Sequence, residues 1–83
     1  MITFEEKALN NTIRNFLLKY IKNSEFSDET DIFTEGFVNS LFAMDLIVFI
    51  EKEFGFKIEN EDLKIKNFKS VNSIAQLVQR KMN

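Results

Sequence analysis

Gly36-Phe37-Val38-Asn39-Ser40-Leu41-Phe42-Ala43-Met44-Asp45-Leu46-Ile47-Val48-Phe49-Ile50-Glu51-Lys52-Glu53-Phe54-Gly55 is the stretch on which the reading of this chain turns. Apolar residues recur through it at helical spacing and no proline interrupts it, so the pattern predicts a helix from Ser40 to Phe54. Gly55 follows as a natural left-handed cap. Gly36 gives the turn before the helix the freedom it needs. Ser40 therefore stands at a helix start, just after a turn. A serine there can be a helix cap. It can also be a point where a phosphate-linked group is attached, because free backbone N–H groups and the positive end of the helix dipole favour an anion.

The same helix has more apolar residues than one packed face requires. At about 100° per residue, Ala43, Leu46, Ile47, Ile50 and Phe54 cluster on one side and make a sufficient core stripe. Leu41, Met44, Asp45, Val48 and Lys52 fall on the other, where polar residues are the rule. Either the helix is covered on both sides, or Leu41, Met44 and Val48 form an exposed stripe that docks partner proteins. Periodicity alone leaves the two readings even. Phe42 and Phe49 lie toward the boundary and are expected under the loop and the short helix.

Outward from this helix, the pattern is helical throughout. A first helix reads from Phe4 to about Lys22, with Thr3 and Glu6 at capping-box spacing and Leu9, Ile13, Phe16, Leu17 and Tyr20 on one face. Residues 23–39 form a long polar connection carrying Phe26, Ile32, Phe33, Phe37 and Val38, which should pack on the helices. A short helical turn is expected near Glu59 to Leu63. Ser70 then caps a last helix with Val71, Ile74, Leu77, Val78 and Met82 on one face. No segment alternates cleanly and no hairpin turn appears. The expected fold is all-α: a small four-helix bundle of three long helices and one short one, with a long loop after the first.

Composition narrows the chemistry. The 83 residues suffice for one small domain, and they include no cysteine and no histidine. That removes disulfides, thiolate metal sites and the commonest general base. Ser40 also lacks a Gly-x-Ser-x-Gly elbow, so it does not read as a hydrolase nucleophile. No residue is assigned a catalytic or metal-binding role. The carboxylates Glu51 and Glu53, and Glu59, Glu61 and Asp62, read as exposed helix and turn charges. Residues 23–63 hold eleven acids against two lysines, whereas residues 64–83 hold five basic residues and no acid. The acidic middle surrounds Ser40 and suits a basic partner protein. The basic ends read as solvated helix faces, too weak for nucleic-acid binding. No signal pattern or membrane-length apolar run is visible, so the expectation is a cytoplasmic monomer.

With these residues in view, the chain resembles the acyl carrier proteins, over nearly its whole length. The family's Asp-Ser-Leu motif at the second helix reads Asn39-Ser40-Leu41. Its acidic residue among apolar ones is Asp45, and its Glu-x-x-Phe ending is Glu51-Lys52-Glu53-Phe54. Ile58-Glu59-Asn60-Glu61-Asp62 resembles the acidic lead-in to the short helix, without the proline often found there. Phe68-Lys69-Ser70-Val71 resembles the start of the last helix. The resemblance implies a single acyl-carrier-type domain over residues 1–83, with Ser40 accepting 4'-phosphopantetheine from coenzyme A through a phosphopantetheinyl transferase. It implies a thiol-bearing arm that holds acyl groups as thioesters. An acyl-loading enzyme and an acyltransferase or ketosynthase acceptor would then read Asn39, Leu41, Met44, Asp45 and Val48.

Asn39 stands where the family usually has Asp, and Phe42 where fatty-acid carriers commonly have an acid. The Gly-Gly-x-Ser-Leu pattern of peptidyl carriers is absent. The phrase Gly36 to Met44 is most similar to free-standing carriers of unusual extender units in polyketide and hybrid pathways, and Met1 fits a free-standing chain. Two alternatives stay open: a carrier for fatty-acid synthesis or another acylation pathway, and a helical adaptor in which Ser40 is only a cap.

Overall fold

The second helix of the computed structural model is α2, Ser40–Phe54, with the bounds its sequence predicts. The structure describes residues 4–21 and 26–82. Around α2 stand α1 (Phe4–Leu17), a 3-10 turn (Asn60–Asp62), α3 (Ile65–Phe68) and α4 (Val71–Met82). Among the described residues there is no strand, and the fold is an all-helical bundle. Its radius of gyration is 11.9 Å.

Local chemistry sets most of the boundaries. Gly55 adopts φ 76°, ψ 28° and donates its N–H to the Glu51 carbonyl, closing α2 with a left-handed residue. The last helix is capped as expected: Ser70 Oγ accepts the Ser73 N–H at 3.1 Å. α1 is shorter than the sequence suggests. Its α-helix ends at Leu17, because Lys19 and Tyr20 donate to the carbonyls three residues back and tighten the chain into a turn. The predicted end at Lys22 and the Thr3–Glu6 capping box lie outside the described residues. α3 was not foreseen; only the preceding 3-10 turn was.

The core joins all the helices. Ile13 and Leu17 of α1, Leu46 and Ile50 of α2, and Val71, Ile74, Leu77 and Val78 of α4 are buried. Burying such a side chain contributes about 1.5–3 kcal/mol relative to leaving it in water. Met82 falls on the same helical face by sequence but is 60% exposed, so it is no part of the core. Phe42 and Phe49 meet rings of α1 and the turn after it, a contact that periodicity did not anticipate: Phe16 stacks on Phe49 at 4.0 Å, and Tyr20 meets Phe42 edge-on at 4.8 Å. Aromatic pairs add to simple apolar burial, and Phe16 of α1 and Tyr20 just beyond it supply the two rings that make these possible.

The loop ahead of α2 is packed, as its aromatics predict. Phe26 and Ile32 are buried, and Phe33, Phe37 and Val38 lie half-buried against the core. Arg14 of α1 grips it: Nη2 and Nε donate to Asp28 Oδ1 at 2.6 and 3.2 Å, and Nη1 donates to the Phe26 carbonyl at 2.8 Å. Two backbone bonds tie the loop to the start of α4, from the Ile32 N–H to the Lys69 carbonyl and from the Asn72 N–H to the Asp28 carbonyl. Asp31 Oδ1 accepts the Phe33 and Thr34 N–H groups, and the Thr34 N–H in particular holds its carboxyl below the usual range. Gly36 closes this turn at φ 77°.

Several charges expected to be solvated are engaged in structure. Glu51 is half-buried and accepts the Ile58 N–H at 2.8 Å, which fixes the chain leaving α2. Asp62 caps the 3-10 turn through the Glu59 N–H and pairs with Lys81 at 2.8 Å. Arg14 and Lys81, both in the basic ends, are therefore committed to ion pairs.

Candidate functional site

The site begins at the N-terminus of α2. Asn39, not Ser40, is the cap: its backbone is extended and its Oδ1 accepts the Phe42 N–H at 3.1 Å. The Ala43 N–H then bonds to the Asn39 carbonyl. Ser40 is the first helical residue and is exposed. Its Oγ takes part in no hydrogen bond among the described residues. The N–H groups of Ser40 and Leu41, at the positive end of the helix, are likewise free among the described residues. A hydroxyl released from capping, beside free N–H donors, is suited to carry an anionic substituent.

The exposed side of α2 runs on from Ser40. Leu41 is 77% exposed, Met44 65% and Val48 50%, with Asp45 and Lys52 beside them in solvent. Periodicity left this stripe balanced between core and surface, and the exposures place it on the surface. From Leu41 to Val48 it extends about 10 Å at 1.5 Å per residue. On the other side, Leu46 and Ile50 are fully buried, while Ala43 and Ile47 are only half-buried.

Ala43 and Ile47 are half-buried because they line a cleft. It has a volume of about 200 Å³ and is bounded by Phe33 of the loop, Ser40, Ala43 and Ile47 of α2, and Leu63, Lys64, Ile65 and Phe68 around α3. Its lining is almost wholly apolar apart from Ser40 and Lys64. Sequence reasoning found Ser40 but missed Leu63, Lys64 and Ile65 as its neighbours. The available signal was Leu63 and Ile65 themselves, two large apolar residues in an otherwise charged segment.

Compared with known protein families, residues 11–78 match the family described as phosphopantetheine attachment site. The chain belongs to this family. No curated protein matches it. The family attaches a 4'-phosphopantetheine prosthetic group, and a domain of this kind is a carrier. The described residues fit such a group: an exposed serine hydroxyl with no capping duty, at a helix N-terminus, beside an open cleft. No helix among the described residues is long and apolar enough to cross a membrane.

Proposed function

We propose that this chain is an acyl carrier of natural-product biosynthesis, one carrier-type domain over residues 1–83, with Ser40 as the attachment residue. The observation that carries the assignment is the division of labour at the start of α2. Asn39 caps the helix, which leaves the exposed Ser40 hydroxyl available for modification. The adaptor reading needs Ser40 as a cap, and the Asn39–Phe42 bond takes that role from it.

When bound, the arm supplies a terminal thiol on which acyl groups ride as thioesters. The chain's own part is to present and to be recognised. Ser40 Oγ takes the phosphopantetheinyl group from coenzyme A as the pyrophosphate bond breaks and adenosine 3',5'-bisphosphate leaves, and its proton passes to a base of the transferase, since the chain contains no histidine. The free N–H groups of the first turn of α2 stabilise the phosphodiester that results. Leu41, Met44 and Val48 offer an apolar contact to the transferase, the loading enzyme and the acceptor, with Asn39 and Asp45 at its edge. An apolar stripe with a single acid supports a polyketide or hybrid pathway over fatty-acid synthesis, where the corresponding surface is more acidic. We further propose that the carrier acts as a cytoplasmic monomer.

The test is intact mass after incubation with coenzyme A and a broad-specificity phosphopantetheinyl transferase. One phosphopantetheinyl group should be added to the wild type and none to Ser40→Ala. A modified alanine variant, or an unmodified wild type, overturns the assignment.

A further inference from the structure

The cleft beside Ser40 has one cationic residue in its lining. Phe33, Ala43, Ile47, Leu63, Ile65 and Phe68 supply apolar surface, and Lys64 supplies the only charge. Lys64 is exposed and is in no ion pair among the described residues. It also borders a polar basin with Glu61, Asp62, Lys66 and Arg80. Of these, Asp62 is committed to Lys81, and Arg80 donates to Asn67. Position favours Lys64 over Lys66, which lines the basin but not the Ser40 cleft.

Whatever the arm carries at its far end, its phosphodiester is fixed to Ser40 Oγ. A negative charge must therefore appear on one wall of this cleft when the carrier is modified. We propose that Lys64 is the counter-ion of that phosphodiester, so that the cleft gains an ion pair on modification that the unmodified protein lacks. The proposal rests on Ser40 being the attachment residue. Ser40 and Lys64 line the same cleft of about 200 Å³, and the attraction between the two charges should weaken as the Debye length shrinks from roughly 8 Å at physiological salt to about 3 Å at 1 M. The cleft's apolar walls lower the local dielectric and strengthen the attraction. A lysine suits the task because its four-carbon stem lets the ammonium follow the phosphodiester as it turns about the Ser40 side chain. The role also fits the charge of this region: residues 23–63 carry eleven acids, and the arm adds one more anion to them.

The experiment compares unmodified and phosphopantetheinylated forms of the wild type, Lys64→Gln and Lys66→Gln, each verified by intact mass. The readouts are Tm and the 31P chemical shift of the phosphodiester, at low salt and at 1 M NaCl. The quantity of interest is the modified-minus-unmodified difference in Tm, which cancels any effect of the substitution on the fold itself. An exposed ion pair in a domain of this size is worth a Tm difference of about 1–8 °C. That difference should be lost in Lys64→Gln, retained in Lys66→Gln and reduced for the wild type at 1 M NaCl. The 31P shift should move in Lys64→Gln alone. Equal Tm differences and equal 31P shifts in the wild type and Lys64→Gln overturn the proposal, as does an equal loss in both variants. Failure of the wild type to gain mass is a different result: it removes Ser40 as the attachment residue, and the counter-ion role falls with it.

Discussion

Asn39 and Ser40 are both good helix-capping residues, and the structure gives them different work. Replacing each by alanine should separate fold from function within two adjacent positions. Asn39→Ala removes the Oδ1 that accepts the Phe42 N–H at 3.1 Å. Losing such a cap costs about 1 kcal/mol, within a range of roughly 0.5–2. For a domain of this size each kcal/mol is worth about 4–8 °C in Tm, so Asn39→Ala should melt about 4–8 °C lower. Ser40→Ala loses no hydrogen bond among the described residues. Alanine is also the better helix former by about 0.5 kcal/mol in a helix interior and by less at the first position, so Tm should stay within about 2 °C. Modification should divide the other way: Asn39→Ala still gains the phosphopantetheinyl group at end point, and Ser40→Ala does not. Asn39→Asp keeps the acceptor and adds a charge at the positive end of α2, which should stabilise by about 0.3–1 kcal/mol at low salt. Calorimetric melts paired with intact mass read both properties on one sample. If Ser40→Ala lowers Tm as much as Asn39→Ala, the hydroxyl is a cap after all and the reasoning from this helix start fails.

The faces of α2 should separate in the same manner: Met44→Ala and Val48→Ala slow acyl loading with little change in Tm, whereas Leu46→Ala and Ile50→Ala cost about 2–5 kcal/mol of stability. Equal destabilisation by all four would mean that the helix is covered on both sides. Loading rates should fall only modestly from low to high salt, and Met44→Asp should slow loading more than Asp45→Lys, because the stripe is apolar and only exposed charges are screened. A steep salt dependence, or a larger effect at Asp45, would show recognition by charge. The Lys81 ammonium and the Glu59 N–H hold the Asp62 carboxyl below its usual pKa, so its contribution to stability is complete above about pH 4 and drains away as pH falls through the lowered value. Asp62 raises the Lys81 pKa, so the partner's share is present at neutral pH and is lost only as pH rises past the raised value. Acid titration of Tm should therefore be shallower in Lys81→Met, and an unchanged profile would remove the pair from the account of acid sensitivity.

What could be read from sequence was the short-range part. α2 came out with its observed ends because its period, its capping residues and Gly55 all act within a few positions. Ser70 was legible for the same reason. The long-range choices were not. Periodicity put Phe42 and Phe49 at a boundary, but only the rings of Phe16 and Tyr20 decide which boundary. α3 has four residues, too few to show a period, and its Phe68 is buried in the core. Glu51 and Asp62 looked like surface charges because the Ile58 N–H and Lys81 that engage them lie seven and more residues away. At the site, Ser40 was found, but whether it caps α2 stayed open in the sequence, since Asn and Ser cap almost equally well and the cap falls at Asn39. The cleft was missed because the residues around α3 meet α2 only through the tertiary fold.

The two backbone bonds from the loop to the start of α4 also have a kinetic meaning. Ile32 to Lys69 and Asp28 to Asn72 join points roughly 40 residues apart, and the entropy of closing so large a loop must be met before either bond forms. α2 and its glycine cap can form on local interactions alone. The stretch that leads into Ser40 cannot, because Arg14 supplies only part of its anchoring and the two backbone bonds come from the last quarter of the chain. During synthesis from the N-terminus, the serine would thus emerge on a helix whose approach is still unsettled, and it would take up its final surroundings only once α4 has been made and docked.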